Sequence, residues 1–413
     1  MLFTHTLRTL RLRTTLTGVV LVCALIAHAQ EDTIPRFSKG FIHKVGAEYR
    51  PGYIFPTHHF IVGHEMEWSA HLKYAFQLRP QSEAGRIFGS AYQGIGVGFY
   101  HVGNDRELGT PTTFYLFQGA PITPLSHRLT LDYNWEFGIS FGWKPYDEDN
   151  NFNNIIIGSP ANFYLNAGVY LNWEVSRYFD FSMGVSATHF SNGNTRFPNA
   201  GLNSIGLRMA VAYHFNRALW GEPTHRDRSI LPAFPRHISY DLTLFGAWKK
   251  AGIPYEDKRV LSLNRHWVAG FSFSPMYNFN YRLRTGVSLD ATYDTSTGLS
   301  ARPLNEEPNY TLSNDKPNYT EVSAPFIQRI ALGLSGRVEY TMPYFTVGVG
   351  MGRNIVAHRN KQSWYQMLYL KIDLLRNTYL HLGYSLQEFH NPNHLMLGVG
   401  YRFHNKYPKI RKK

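Results

Sequence analysis

Apolar residues recur at every second position through most of the chain, and this spacing constrains the fold more than any other feature of the sequence. Successive side chains of a β-strand point to opposite faces, so the spacing indicates strands with one apolar face. The stretch 395–403 alternates in this way, and so does the stretch 204–215. In the latter, the apolar positions are Ile205, Leu207, Met209, Val211, Tyr213 and Phe215.

The composition indicates that the apolar faces lie against lipid. The second face of these strands is rich in Gly and Ser, and only 17% of all residues are charged, whereas soluble proteins have about 25%. Aromatic residues make up 15% of the chain, a content that excludes a disordered protein. The body of the chain has no apolar run of about 20 residues, which excludes a helical membrane protein. These features are typical of a transmembrane β-barrel.

The alternating segments number about sixteen, and bacterial barrels have even strand numbers. We therefore predict an all-β fold, an antiparallel transmembrane β-barrel of about sixteen strands, with two eight-stranded barrels in tandem as the alternative. A single closed barrel is favoured, because one closure removes all sheet edges without two insertions side by side. The predicted strands are 41–50, 67–79, 89–101, 112–119, 128–142, 161–173, 179–191, 203–215, 237–248, 266–276, 282–294, 326–341, 344–354, 363–374, 378–388 and 394–403.

The first 29 residues have the pattern of a cleaved secretory signal. Three arginines precede the short apolar stretch 16–26, and Ala27-His28-Ala29 follows it. The single cysteine, Cys23, would leave with this segment. We therefore expect export to the outer membrane of a Gram-negative bacterium.

The rest of the chain divides at a proline-containing segment. We predict a first barrel half over 30–215, a periplasmic linker over 216–236, a second barrel half over 237–403 and a basic tail over 404–413. The net charge of +13 suits either nucleic acid or the phosphates of lipopolysaccharide. We expect most of the arginines to line a polar bore, and we expect no nucleic-acid partner.

Three polar residues interrupt the apolar faces of two neighbouring strands. His189 and Ser191 continue the outward series of the strand 179–191, and Asn203 continues that of the next strand. A serine needs an imidazole to take its proton, and a third group to hold the imidazole tautomer. On the lipid side of a barrel, this set suits an enzyme that attacks a lipid ester. The simpler interpretation is a polar rim where the strands leave the membrane.

Further residues complete this candidate site. The Asn192 side chain and the amides of Gly193 and Asn194 could stabilise an oxyanion. An acyl-chain groove is predicted from apolar residues of the two strands, namely Phe181, Met183, Val185, Ile205, Leu207 and Met209.

The sequence His189-Phe190-Ser191-Asn192, followed by Pro198-Asn199-Ala200-Gly201-Leu202-Asn203 and an alternating strand, resembles the signature of the PagL-type lipid A 3-O-deacylases. The resemblance covers chiefly the first half, up to about residue 215. It implies an outer-membrane barrel that removes an ester-linked acyl chain from lipid A, with Ser191 as nucleophile and His189 as general base. In the family's best-known pattern, an acidic residue lies twelve positions after the serine, where this chain has Asn203. An asparagine can orient an imidazole but cannot offset the charge of an imidazolium.

Two functional hypotheses therefore stand: a lipid A esterase, and a non-catalytic barrel such as a pore, transporter or adhesin. Serine esterase chemistry implies no cofactor. His58, His59 and His64 with Glu65 and Glu67 could form a metal site in the first outer loop. Polar loop residues without a metal are the default interpretation, and we predict no metal. The sequence leaves the oligomeric state and the acyl position open.

Overall fold

The structure is a computed structural model of the chain. It describes residues 41–55, 66–79, 82–147, 149–217, 233–255, 258–303, 319–357, 363–389 and 391–407.

The first half of the chain closes into an eight-stranded antiparallel barrel. Each strand pairs with the next in sequence, and the first strand pairs with the last, with Tyr53 opposite Ile205. The strands are β1 (Phe41–Phe55), β2 (Met66–Leu78), β3 (Tyr92–His101), β4 (Gly109–Pro124), β5 (Leu129–Trp143), β6 (Ala161–Glu174), β7 (Phe179–Ser191) and β8 (Leu202–His214).

The second half closes into a separate eight-stranded barrel. Its first and last strands pair with each other, with Leu244 opposite Val399. The barrel strands are β9 (His237–Lys249), β12 (His266–Asn278), β13 (Leu283–Asp294), β16 (Ile330–Thr341), β17 (Phe345–Val356), β18 (Trp364–Asp373), β19 (Thr378–Gln387) and β20 (Asn391–Phe403).

The all-β barrel fold predicted from the sequence is confirmed, and so are its sixteen barrel strands. The preference for one closed barrel was wrong, and the alternative of two eight-stranded barrels is correct. Two barrels leave no sheet edge unpaired either, because β1 pairs with β8 in the first half and β9 pairs with β20 in the second.

Short elements lie between the barrel strands. Outside the barrels, β10 (Gly252–Tyr255) pairs with β11 (Lys258–Leu261), and β14 (Ser300–Pro303) pairs with β15 (Tyr319–Val322). The helix α1 (Glu83–Phe88) fills the link between β2 and β3, and the Ser82 hydroxyl accepts a hydrogen bond from the Gly85 amide at its start. A 3-10 turn occupies Phe326–Arg329, where the sequence predicted the beginning of a strand.

The two faces of the barrel strands differ as the alternation predicted. In β16, Leu334 and Val338 are exposed, whereas Arg337 and Glu339 are buried in the bore. Apolar side chains that point outward along a closed barrel are the surface that such a barrel presents to lipid. Among the described residues, no helix is long and apolar enough to cross a membrane.

Charged side chains fill both bores. In the first barrel, Glu136 binds Arg50 and Lys73, with Nζ of Lys73 2.6 Å from the carboxylate. In the second, Glu339 binds Arg284 and Lys371, with Nζ 2.7 Å away. Every one of these side chains is buried.

The two barrels contact each other along their outer faces. The rings of Trp135 and Phe345 lie 5.1 Å apart edge to face, and the Tyr133 hydroxyl donates to Sδ of Met342 at 3.5 Å. These contacts join β5 of the first barrel to the β16–β17 region of the second.

Several sequence predictions lie outside the described residues. They are the signal segment 1–29, most of the linker 216–236, the end of the basic tail, and the metal-site candidates His58, His59, His64 and Glu65.

Candidate functional site

His189 and Asn203 form a hydrogen-bonded pair on the outside of the first barrel. They lie directly opposite each other in the β7–β8 ladder, and Nδ1 of the imidazole is 2.7 Å from Oδ1 of Asn203. An amide oxygen can only accept, so Nδ1 carries the hydrogen and donates it. The second ring nitrogen, Nε2, is then left as the basic atom.

The direction of these side chains follows from the alternation of β7. Phe179, Phe181, Met183 and Val185 are exposed on the outer face, whereas the intervening Asp180, Ser182 and Ser186 are buried in the bore. His189 and Ser191 continue the outer series and are half-buried. The outward parity predicted from the sequence is therefore present.

Ser191 and the imidazole converge on a space above Gly201. A Cβ atom at Gly201 would lie 3.1 Å from Cε1 of His189 and 3.7 Å from Cβ of Ser191. Gly201 has a φ of +76°, which favours glycine. Any side chain at this position would contact both the imidazole ring and Ser191. Gly201 lies within the motif Pro198-Asn199-Ala200-Gly201-Leu202-Asn203, but its role could not be read from the sequence.

The loop after Ser191 is held by its own hydrogen bonds. The amide of Asn192 donates to Oδ1 of Asn199 at 2.9 Å, and Nδ2 of Asn192 donates to the carbonyl of Arg196 at 2.8 Å. Asn192 is buried, so it chiefly supports the loop. Gly193 and Asn194 follow with φ of +65° and +64°, which turns the backbone sharply beside Ser191.

The loop between β5 and β6 packs against the loop that follows Ser191. The amide of Gly201 donates to the carbonyl of Ile156, and Ile156 and Ile157 are fully buried. A Cβ at Gly158 would lie 2.5 Å from the backbone of Phe197. The segment between β5 and β6 thus contacts the second half of the 192–200 loop and Gly201, which follows it.

An apolar surface runs down the barrel from the site. In the β7–β8 ladder, Val185 lies opposite Leu207 and Met183 lies opposite Met209. Met209 is half-buried, and the other five predicted groove residues are exposed, namely Phe181, Met183, Val185, Ile205 and Leu207. All six residues predicted for the acyl-chain groove therefore lie on the outer face.

Glu67 is the described member of the predicted metal set. It is buried on the inner face of β2, near Gly52. Among the described residues, no three His, Cys, Asp or Glu side chains are grouped to hold a metal ion.

Comparisons with known proteins extend the resemblance to both barrels. A family model described as lipid A 3-O-deacylase (PagL) matches residues 117–212. A second, described as acyloxyacyl hydrolase, C-terminal domain, matches residues 238–405. The resemblance to the PagL-type lipid A 3-O-deacylases is confirmed. It reaches beyond the first half, to which the sequence motif had confined it. No curated protein matches the chain.

Solved structures of other barrels are similar at low identity. The outer membrane enzyme PagL is 17% identical, covers 40% of this chain and 97% of its own, and has a TM-score of 0.26. Neisserial surface protein A is 9% identical, with coverages of 43% and 98% and a TM-score of 0.29. The ferric enterobactin receptor of Pseudomonas aeruginosa is 9% identical, with coverages of 88% and 74% and a TM-score of 0.25.

Proposed function

We propose that this PagL-type barrel protein is an outer-membrane esterase that removes an ester-linked acyl chain from lipid A. The observation that carries the proposal is the hydrogen-bonded pair of His189 and Asn203 beside Ser191, on a barrel face that is otherwise apolar. A polar pair on that face is accessible to a substrate that lies in the membrane, and an apolar ladder leads to it.

The reaction begins with proton transfer from Ser191 to His189. Nε2 of His189 takes the hydroxyl proton while Oγ of Ser191 forms a bond to the ester carbonyl carbon. The carbonyl oxygen becomes an oxyanion, which the backbone amides of Gly193 and Asn194 stabilise. The intermediate then collapses, the ester C–O bond breaks, and the imidazolium returns the proton to the departing alcohol oxygen.

Hydrolysis of the acyl-serine repeats these steps with water as the nucleophile. Nε2 of His189 takes a proton from water, the hydroxide attacks the acyl carbon, and Oγ of Ser191 leaves with the proton. Asn203 keeps the imidazole in the Nδ1–H tautomer throughout. Its neutral oxygen stabilises the imidazolium less than a carboxylate would.

The filled bores argue against the alternative of a pore or transporter. The ion pairs of Glu136 and of Glu339 cross the described interior of the two barrels. A barrel that conducts solutes needs an open channel, whereas eight strands leave room for side chains or at most one small ligand.

Mass spectrometry of lipid A tests the proposal. The full chain is expressed in a Gram-negative strain without a deacylase, and its lipid A is expected to lose one acyl chain. Ser191→Ala lowers the rate by about 10³-fold or more, since the nucleophile is lost. The matched control is Ser385→Ala, which removes a buried serine from the second bore and leaves deacylation unchanged. Unmodified lipid A beside folded wild-type protein would refute the proposal, as would full activity of Ser191→Ala.

A further inference from the structure

The loop that follows Ser191 touches the second barrel at two points. The backbone amide of Lys250, which follows β9, donates to the carbonyl of Asn194 at 3.2 Å. The side chain of Leu395, in β20, packs on Gly193, because a Cβ there would lie 2.8 Å from its Cδ2 and Cγ atoms. Two residues of the predicted oxyanion site thus contact the other barrel.

A third contact reaches the strand that carries the serine. Phe163 lies directly opposite Ser191 in the β6–β7 ladder. Its ring packs against a buried cluster of the second barrel that includes Ala247, Val268 and Leu395. The cluster that contains Leu395 therefore contacts both Phe163 and Gly193 of the first barrel.

Leu395 is buried where the two barrels meet. Leu395 and Val399 both lie on the outer face of β20, yet Leu395 is 8% exposed and Val399 is 49% exposed. The outer face at Val399 remains open to lipid. Only the end of the strand near the 192–194 segment is covered.

Lys250 is itself firmly held. Its Nζ donates to the carbonyls of Ser262 and Leu263 at 2.8 and 2.6 Å. The next amide, of Ala251, donates to the Ser262 hydroxyl at 2.9 Å. The donor to Asn194 is therefore part of a rigid loop of the second barrel.

We propose that the second barrel is a positioning element of the esterase site, in which Leu395 and the Lys250 amide hold Gly193 and Asn194 where the oxyanion forms. Asn194 has a left-handed backbone conformation with φ of +64°, which in a residue other than glycine persists where surrounding contacts fix it. An oxyanion donor acts only at hydrogen-bond distance, so a small shift of this segment is costly. The inference rests on the proposed esterase function.

The first test compares three variants of one face of β20. Leu395→Ala removes the packing on Gly193 and is expected to lower kcat for lipid A deacylation by about 10- to 100-fold, with KM changed by less than about twofold. Leu395→Met keeps the volume and restores kcat to within about threefold. Val399→Ala, on the same face, is the matched control and retains wild-type kcat. Wild-type kcat in Leu395→Ala, or an equal loss in Val399→Ala, would overturn the proposal.

The second readout does not depend on activity. Hydrogen exchange of the peptide covering 192–200 is measured in folded protein, with folding checked by heat-dependent gel migration. Leu395→Ala is expected to speed exchange in this peptide by about tenfold, whereas Val399→Ala leaves it unchanged. A fall in kcat without faster exchange would show that Leu395 acts elsewhere and would overturn the proposal. If the wild-type protein leaves lipid A intact, the esterase function fails, and this exchange still shows whether the second barrel holds the loop.

Discussion

Each barrel has a serine and a histidine near the end of its last hairpin, and the two sets face opposite ways. In the first barrel, His189 and Ser191 lie on the outer face. In the second, Ser385 lies directly opposite His394 across β19 and β20, but both side chains are buried and line one cavity in the bore. The same chemical groups are therefore accessible from lipid in one barrel and enclosed in the other. Strand parity, more than residue type, decides which set can reach a lipid ester.

The bores, in contrast, are alike. Each contains buried carboxylates that bind two or more cations, Glu48 and Glu136 in the first barrel and Asp241 and Glu339 in the second. Buried charges persist only when they are paired, so these networks serve the interior of each barrel. What distinguishes the first barrel is the polar group on its exterior.

The two barrels are expected to differ most when the histidine of each is replaced in turn. His189→Gln deprives Ser191 of its base and should lower kcat by about 10³-fold, within the range measured for general bases. His394→Gln, in the second bore, should leave kcat within about twofold of wild type. The measurement is the initial rate of acyl release from lipid A in detergent. A comparable loss in both variants would mean that the second barrel also takes part in the chemistry.

Alanine substitutions at two glycines test whether the reaction uses the space beside His189 and Ser191. Gly201→Ala places a methyl group 3.1 Å from Cε1 of His189 and strains a backbone at φ +76°, so kcat should fall by about 10²-fold. Gly336→Ala, in the second barrel, is the control, because a Cβ there has nothing within 4 Å. Steady-state kinetics on both variants checks this. Normal turnover by Gly201→Ala would show that the space is not used.

The strands and their parity could be predicted from the sequence because both are local. The predicted strand 179–191 matches β7 (Phe179–Ser191), and the pairing of His189 with Asn203 follows from an antiparallel hairpin. Barrel closure could not be predicted, because two-residue spacing tells which face a residue occupies but not which distant strand pairs with it. The single-barrel preference failed for that reason.

The contacts between the second barrel and the 192–194 segment could not be predicted from the sequence either. Gly193 and Leu395 are far apart in the chain, and they meet only because two finished barrels pack together. Phe326–Arg329 was predicted as the beginning of the strand 326–341, but it forms a 3-10 turn after Pro325. Proline sets the backbone angle at the start of that turn, and the two-residue spacing alone did not show it.

Two substitutions at Asn203 test how this residue orients the imidazole of His189. Asn203→Ala removes the acceptor that fixes Nδ1–H, and kcat should fall by about tenfold as the imidazole loses its tautomer and direction. Asn203→Asp supplies a charge that stabilises the imidazolium, and kcat should rise severalfold. Rates of acyl release measure both. If Asn203→Asp is slower than wild type, the asparagine has a role other than orienting the imidazole.

The smallest effect is expected from the apolar ladder, where matched leucines lie on the two barrels. Leu207 in β8 and Leu334 in β16 are 48% and 51% exposed on the outer faces. Leu207→Ala should raise KM by about two- to fivefold with little change in kcat, because the acyl chain loses contact with about three carbons at under 0.8 kcal/mol each. The loss is small because bulk lipid chains compete for the same surface in both variants. Leu334→Ala removes an equal area where no substrate binds, so its KM should equal that of the wild type. Equal KM values for the two variants would mean that the acyl chain does not lie along β8, and the groove would then have to be sought on another face.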